Sequence, residues 1–295
     1  SACNQTQLVL QAIQDTKVNM TVFLGAYVGD NTTVNAEQQE FILDALKLYG
    51  ADNVGGVSIG NEYILQAPDR SSTTAAAITY IKEQIVNFNE SLLALNLGKH
   101  VPVGTADAGS AYTADLATGI DFFMANVHPW FGGVPIDEAA GWTWDFFEQN
   151  DVVISDAAPN QPTTYIAETG WPTDAMLPEN MTLGAAVAGV SELQTFLDTY
   201  PCQANKNESY YFYFEPFDEP WKERYALTSF PPSTFPVDLL LVPLSTSPTL
   251  PRSSSSSRIS YGGVEPHWGL FDSNKVLKTG ITFPTCDVDS SHSSG

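Results

Sequence analysis

Short runs rich in β-branched residues alternate along this chain with longer amphipathic runs, and this alternation constrains the fold more than any other feature. The strand-like runs are Lys17–Leu24, Val54–Ile59, His100–Val103, Phe122–Val127, Thr164–Ala167 and Ser209–Phe214. The helix-like runs are Leu8–Asp15, Ala36–Tyr49, Ile78–Leu95 and Leu183–Tyr200. Repeated strand–helix units of this kind form a parallel sheet covered by helices. The sequence therefore predicts an α/β fold.

The number of units favours a (β/α)8 TIM barrel, a fold that usually takes about 250 residues. Because the chain opens on a helix-like run, we expect the barrel to lack its first one or two βα units. One barrel domain is predicted over residues 1–286. Residues 224–262 are rich in Pro and Ser and are predicted to form a disordered insertion, and residues 287–295 a Ser-rich tail.

The charge balance limits the partners of this chain. It has 34 Asp and Glu against 12 Lys and Arg, which gives a formal net charge of −22. Such a surface repels nucleic-acid phosphates and anionic lipid headgroups, so a neutral substrate is favoured over nucleic acid. The most apolar stretch, residues 237–244, is too short to span a bilayer, and we expect a monomer with no membrane-spanning segment.

The sequons and the cysteines indicate the cellular compartment in which the protein is located. Six N-glycosylation sequons favour the secretory route, at Asn4, Asn19, Asn31, Asn89, Asn180 and Asn207. The three cysteines allow a disulfide between Cys202 and Cys286, or they are unrelated buried thiols. We expect a secreted, extracellular protein.

Two glutamates stand where strand-like runs end. Glu62 closes the run that begins at Val54, and Glu168 follows the run Thr164–Ala167. The carboxyl ends of barrel strands form the active site, and the strand count places these two glutamates across its mouth. A facing pair of carboxyl groups can cleave a glycosidic bond, one as general acid and one as nucleophile. The alternative is that each is a solvated loop residue, as most glutamates are.

Aromatic residues follow the same strand-like runs. His128 and Trp130 come after the fourth run, and Trp171 comes after Glu168. Aromatic rings in a cleft suit stacking on pyranose rings, although packing in the barrel core explains each of them equally well. The histidines lack metal-ligand spacing, and the motifs for phosphate loops, dinucleotides and nucleophile elbows are missing from the sequence, so we expect no cofactor.

Four segments, in order, resemble the signatures of glycoside hydrolase family 17. They are Val57–Glu62, Ala167–Pro172, Phe214–Lys222 and Gly263–Phe271. A fifth segment, Asn126–Pro129, is typical of the fungal cell-wall branch of that family. The resemblance covers residues 3–286 except the predicted insertion.

The resemblance implies a retaining enzyme that acts on β-1,3-glucan in the cell wall. Glu62 matches the general acid/base and Glu168 the nucleophile, whose carboxyl groups would lie about 5 Å apart. Asn61 would hydrogen-bond the sugar 2-hydroxyl. The auxiliary charged residues of the family match Glu219, Lys222 and Glu265. A lysine in that set would help to keep the nucleophile ionised.

Three functions remain open at this point. The first is hydrolysis of β-1,3-glucan by an endo-1,3-β-glucosidase, and the second is glucanosyl transfer by the same double displacement. The third is a non-catalytic glucan-binding wall glycoprotein or an inactive gene product. Two departures from the family bear on the third function, namely the strands expected before Ser1 and the insertion between Lys222 and Glu265, for which a retained intron is one hypothesis.

Overall fold

The fold is taken from a computed structural model, which describes residues 4–223 and 263–286. The predicted insertion and the predicted tail both lie outside the described residues. The helices are α1 (Gln5–Thr16), α2 (Thr32–Tyr49), α3 (Thr74–Leu93), α4 (Ala114–Ala117), α5 (Ile136–Phe147), α6 (Val153–Ala157) and α7 (Val190–Lys206). The strands are β1 (Val22–Ala26), β2 (Val54–Asn61), β3 (Val103–Ala108), β4 (Phe122–Asn126), β5 (Thr163–Thr169), β6 (Thr182–Leu183), β7 (Ala186–Val187) and β8 (Tyr211–Tyr213).

Six of these strands form one sheet in the order β1-β2-β3-β4-β5-β8. From β1 to β5, each strand pairs in parallel with the next strand along the chain. Parallel neighbours need a crossover connection, which the helices between them supply. The predicted α/β fold with a parallel sheet is confirmed. Strands β6 and β7 form a separate antiparallel hairpin.

The chain divides into two compact units. Among the described residues, unit 1 comprises 4–127, 144–168 and 209–212, and it holds most of the six-stranded sheet. Unit 2 comprises 128–143, 169–208, 213–223 and 263–286, and it holds the β6–β7 hairpin and α7. The single barrel domain over residues 1–286 stays a prediction.

Aromatic rings fill the sheet interior of unit 1. The Phe23 ring centroid on β1 lies 5.3 Å from that of Phe122 and 5.1 Å from that of Tyr165. It also lies 5.7 Å from the Phe212 ring on β8. Gly56 leaves the room that this packing needs, since a Cβ there would lie 2.7 Å from the Phe122 ring. Edge-to-face packing of this kind makes the interior a solid core, as in barrel proteins.

Local capping sets the bounds of the long helices in unit 1. Asn31 accepts two backbone N–H groups at the start of α2, and Gly50 ends that helix at φ 73°. Thr73 accepts a backbone N–H at the start of α3. The buried residues of α3 recur at helical spacing, namely Ala77, Ile78, Ile81, Ile85, Phe88 and Leu92. Among the described residues, no helix is both long enough and apolar enough to cross a membrane.

Two predicted strands begin later than expected. The strand predicted to begin at Lys17 begins at Val22 instead, as β1. The reason is that helix α1 continues to Thr16 and is ended by Lys17, whose φ is 55°. The strand predicted over residues 100–103 is β3, which begins at Val103 and runs to Ala108. Its polar residues are buried in the sheet, with Asp107 only 1% exposed, so hydrophobicity alone did not mark this strand.

The helix predicted from Leu183 begins seven residues later, at Val190. The residues before it form the β6–β7 hairpin instead. Gly184 stands in the turn of this hairpin at φ 58°, a left-handed conformation that interrupts a helix and that glycine adopts without strain.

The expected disulfide is present in unit 2. Cys202 in α7 is bonded to Cys286, which is 84 residues away in the sequence. Phe196 and Tyr200 on α7 stack with their ring centroids 4.9 Å apart and are both buried. The structure therefore selects pairing over unrelated thiols for two of the three cysteines.

Candidate active site

The carboxyl ends of β2 to β5 lie side by side at one edge of the sheet. Because these strands are parallel neighbours, the residues at their ends come together. Strand β2 ends at Asn61 and is followed by Glu62, β4 ends at Asn126, and Glu168 is the residue before the end of β5. Both predicted catalytic glutamates are therefore on this edge, in unit 1.

Asn126 joins the strand ends that carry the two glutamates. Its side-chain Nδ2 donates to Glu62 Oε1 at 3.0 Å and to Asn61 Oδ1 at 3.3 Å. Its backbone is in register with Glu168 on β5, and the Glu168 carbonyl accepts the N–H of Val127 at 2.9 Å. Asn126 is only 6% exposed. One buried asparagine thus contacts Glu62 and Asn61 through its side chain and pairs with Glu168 through its backbone.

The strand ends at this edge are irregular. Glu62 has φ 52°, in the left-handed region that residues with a Cβ rarely adopt. The β2–β3 register shifts between Ser58 and Asn61, and the β4–β5 register shifts between Ala125 and Asn126. Irregularities of this kind re-aim side chains and are common beside active sites.

A further carboxyl group at this edge, Asp107 on β3, was not singled out from the sequence. It accepts the N–H groups of Ile64 at 2.8 Å, Leu65 at 3.1 Å and Ala108 at 2.9 Å. Burial raises the pKa of Asp107 to about 7; the backbone hydrogen bonds oppose this rise, and the charge of Glu62 adds to it. Two carboxyl groups on neighbouring strands therefore influence each other.

Unit 2 contains a charged cluster after β8. Lys222 Nζ lies 2.7 Å from Glu215 Oε1 and 2.9 Å from Glu219 Oε2. The ammonium also lies 4.5 Å from the centre of the Phe214 ring, within the range of a cation–π contact. Two of the three auxiliary residues predicted from the family motifs, Glu219 and Lys222, are thus in direct contact.

The two carboxyl groups of this cluster titrate differently. Burial raises the pKa of Glu215 to about 7, although its hydrogen bond to Lys222 works in the other direction. Burial acts to raise the pKa of Glu219 too, but the hydrogen bond and charge of Lys222 outweigh it and the pKa is lowered. The pKa of Lys222 is raised, because the two carboxylates overcome its burial. Glu219 and Lys222 are the ionised pair, and Glu215 is the group that can hold a proton.

The third auxiliary residue, Glu265, begins a short 3₁₀ turn, Glu265–His267, and is half-buried. The carbonyl of the next residue, Pro266, accepts the N–H of Glu219 at 3.1 Å. The segments that carry Glu219 and Glu265 are therefore adjacent within unit 2. The predicted role of Lys222 toward the nucleophile stays a prediction.

The predicted sugar-binding aromatic residues are packed into unit 2. Trp130 and Trp171 are 2% and 0% exposed, and their ring centroids lie 5.7 Å apart. The Trp171 Nε1 donates to the Val187 carbonyl at 2.8 Å. This burial favours the alternative of core packing for both tryptophans. His128 lies between other rings, with its centroid 4.9 Å from that of Trp268.

Three residues were missed as site candidates from the sequence, namely Asn126, Asp107 and Glu215. Each lies within two residues of the end of a strand, which is the signal that singled out Glu62 and Glu168. Asp107 was missed because its strand was predicted to end at residue 103. Within residues 4–223 and 263–286, no group of three or more His, Cys, Asp or Glu could hold a metal ion.

Comparison with known proteins identifies the family. Residues 1–229 match the BtgE/BtgC glycoside hydrolase domain. The chain is 34% identical over 294 residues to a putative glucan endo-1,3-beta-glucosidase btgC from Aspergillus niger, covering 96% of this chain and 37% of that protein. It is 31% identical to the glucan endo-1,3-beta-glucosidase btgC of Emericella nidulans, covering 96% and 39%. The chain thus spans little more than a third of these relatives.

Solved structures show the same fold. An active-site mutant of Rhizomucor miehei beta-1,3-glucanosyltransferase in complex with laminaritriose has a TM-score of 0.64 at 24% identity, over 97% of this chain and 84% of that one. An endo-laminarinase from Formosa also has a TM-score of 0.64, at 18% identity, over 92% and 72%. These likenesses confirm the predicted barrel class. The domain match, together with the four motifs, places the chain in the BtgE/BtgC group of glycoside hydrolase family 17.

Proposed function

We propose that this chain is the catalytic region of a retaining glycosidase that cleaves internal bonds of β-1,3-glucan. The observation that supports it most directly is the position of Asn126, which contacts Glu62 through its side chain and pairs with Glu168 through its backbone. Two glutamates at strand ends on one edge of a parallel sheet can supply the acid/base and the nucleophile of a double displacement at an anomeric carbon. The substrate is taken from the Aspergillus niger and Emericella nidulans relatives, which are named as glucan endo-1,3-beta-glucosidases.

In the proposed reaction, Glu168 attacks the anomeric carbon while Glu62 gives a proton to the departing glycosidic oxygen. A covalent glycosyl-enzyme forms. Glu62 then takes a proton from the incoming water, whose oxygen bonds to the anomeric carbon as the bond to Glu168 breaks. The hydrogen bond that Asn126 donates to Glu62 Oε1 makes that oxygen an acceptor. The proton that Glu62 gives to the glycosidic oxygen is therefore carried by Oε2. Because Asn61 Oδ1 accepts from the same amide, the Asn61 amino group is the part that donates to the sugar 2-hydroxyl.

The charged cluster of unit 2 supplies polar groups for carbohydrate hydroxyls in this proposal. Glu219 offers an ionised acceptor and Lys222 an ionised donor. Burial raises the pKa of Glu215 to about 7, so this carboxyl group is protonated at acid pH and can donate a hydrogen bond. Glu265 extends the set from the neighbouring turn. Trp130 and Trp171 are buried inside unit 2, so this proposal assigns them to packing and not to sugar stacking. Substrate binding by the half-buried His128 stays a prediction.

We place this activity outside the cell, in the cell wall. The disulfide Cys202–Cys286 is typical of oxidising compartments. Asn4, Asn19 and Asn31 of the sequons are exposed, as glycosylation requires. Asn31 caps α2 through Oδ1, which leaves its Nδ2 as the atom for glycan attachment.

The product profile of an end-labelled laminari-oligosaccharide tests the proposal. Shorter products alone mean hydrolysis. Products longer than the substrate mean transfer to a second glucan, which would make the protein a glucanosyltransferase with the same two glutamates. A chain that melts cooperatively and binds the oligosaccharide without forming any product would be a glucan-binding protein, and the proposed activity would be wrong.

A further inference from the structure

Strand β3 holds the backbone on both sides of the Glu62 side chain. The N–H of Glu62 donates to the Ala106 carbonyl at 3.1 Å. The next residue of β3, Asp107, accepts the N–H groups of Ile64 and Leu65 through its two carboxyl oxygens. A single strand end therefore fixes the chain at Glu62 and again two and three residues later.

Glu62 needs such restraint because of its backbone conformation. At φ 52° it is in the left-handed region, which costs a residue with a Cβ about 1–2 kcal/mol relative to the right-handed one. A conformation of this cost persists only where the surroundings hold it. The Asp107 carboxyl is suited to that task, since it is 1% exposed and takes three backbone N–H groups at 2.8–3.1 Å.

We propose that Asp107 is a positioning residue, whose carboxyl fixes the turn Glu62–Leu65 and so keeps the Glu62 side chain directed at the glycosidic oxygen. The proposal rests on the proposed function, in which Glu62 is the general acid. Asp107 acts through the backbone of the turn and touches no part of the sugar in this scheme. Misplacement of a catalytic group by about 1 Å can cost on the order of 100-fold in rate.

A positioning role and a purely structural role differ in which substrates they affect. Loss of folded enzyme lowers the rate on every substrate by the same factor. A misdirected general acid lowers the rate only where the leaving group needs a proton. A laminari-oligosaccharide has such a leaving group, whereas a 2,4-dinitrophenyl β-laminaribioside releases a stable phenolate without one. The ratio of the two kcat/KM values does not depend on how much enzyme is folded.

The test compares Asp107→Asn with the wild-type full chain on both substrates. The variant keeps the shape of the side chain but sets an NH2 group against a backbone N–H. We expect kcat/KM on the oligosaccharide to fall about 10- to 100-fold and that on the aryl glycoside less than threefold. Glu62→Gln should show the same selective pattern with a larger loss. If Asp107→Asn folds poorly, the same two kcat/KM values are measured for Asp107→Glu, which keeps both acceptor oxygens but moves them. The same selective loss is expected.

Asp121→Asn is the matched control. The Asp121 carboxylate accepts the N–H of Val103 at 2.8 Å, at the opposite end of the same strand, so its loss should affect both substrates equally. Equal losses on the two substrates for Asp107→Asn, or no loss on either, would overturn the positioning role. A cooperatively folded wild-type chain that cleaves neither substrate would instead overturn the proposed function itself, and the inference with it.

Discussion

The two polar clusters of this protein hold their carboxyl groups by different means. In unit 1, Glu62 accepts a hydrogen bond from the neutral amide of Asn126 at 3.0 Å. In unit 2, Glu215 and Glu219 share the ammonium of Lys222 at 2.7 and 2.9 Å. Both clusters follow the ends of strands, so the difference lies in the donors and not in the local architecture.

The difference matters because a positive charge stabilises the ionised form of a carboxyl group far more than a neutral amide does. Glu219 shows this effect, since Lys222 lowers its pKa despite its burial. A general acid has to lose and regain a proton in every catalytic cycle. A neutral donor that fixes the direction of one oxygen suits the acid role proposed for Glu62, whereas the lysine keeps Glu219 in its ionised form.

Removing the proposed nucleophile is the strongest way to test the unit 1 cluster. Glu168→Gln should lower kcat on laminari-oligosaccharides by about 10⁴-fold or more, because the covalent step is lost while the shape is kept. The thermal melting temperature should stay close to that of the wild type. Glu40→Gln, an exposed glutamate on α2, is the control and should leave the rate unchanged. Intact turnover in Glu168→Gln would contradict the assignment.

The contribution of the unit 2 cluster to stability is tested by removing its shared cation. Lys222→Met leaves Glu215 and Glu219 without their shared cation, and we expect the free energy of unfolding to fall by about 3–5 kcal/mol. Urea unfolding followed by tryptophan fluorescence measures it. The control is Lys47→Met, whose partner Asp44 is 50% exposed at 2.8 Å, and which should cost under about 1 kcal/mol. A similar small loss for Lys222→Met would show that the cluster contributes little.

The raised pKa of Glu215 predicts a pH dependence of a definite sign. Its folded pKa is about 7, above the ordinary unfolded value of about 4.3, so the native state binds more protons between these values. The contribution of Glu215 to stability is therefore full below about pH 4 and is lost as the pH rises to about 7, by roughly 3 kcal/mol. Asp107, whose pKa is also raised to about 7, adds in the same direction.

Urea titrations at several pH values between these limits would measure this dependence. In Glu215→Gln the contribution of that group should disappear and the slope should become shallower. Glu37→Gln, exposed on α2, should leave the slope as it is. If Glu215→Gln leaves the slope of unfolding free energy against pH unchanged, the protons are taken up by groups other than Glu215.

The smallest expected effect comes from the amide in unit 1. Asn126→Ala removes the donor to Glu62 Oε1, and kcat should fall about tenfold, which corresponds to about 1.4 kcal/mol. Asn160→Ala is the matched control, since the Asn160 amide donates to the Ala117 and Ile120 carbonyls at 2.9 Å. That variant should lose stability without losing kcat per folded molecule. If Asn126→Ala and Asn160→Ala have equal kcat values, the Asn126 amide has no special role in directing Glu62.

Much of the fold could be predicted from local sequence signals. The helix that Asn31 caps and Gly50 ends was found within a few residues, because its apolar period and its terminators are local. The hairpin around Gly184 was missed, since the residues on either side of it also fit a helical period. Strand β3 was placed early because its polar residues are buried by neighbouring strands, which hydrophobicity does not reveal.

The residues of the candidate site also divide into those that local sequence signals predicted and those that only the tertiary structure showed. Glu62, Glu168 and Lys222 were predicted because each stands in a short motif with a recognisable order. Asn126 and Asp107 were not, because their roles depend on partners that are 64 and 43 residues away, Glu62 and Ile64. Trp130 and Trp171 carried the right chemistry for a sugar, but their burial depends on the packing of unit 2.

The sequence by itself determined the alternation of strands and helices and the motifs that carry the proposed catalytic glutamates, because each of these depends on residues that are close together in the chain. The tertiary structure alone decided which strand ends meet, which donor each carboxyl group receives and which aromatic rings are buried. Register between strands sets those contacts, and register is fixed by the packing of whole faces of the sheet and not by any single segment. For this reason Glu62 could be predicted as the acid, while the residues that hold it could not.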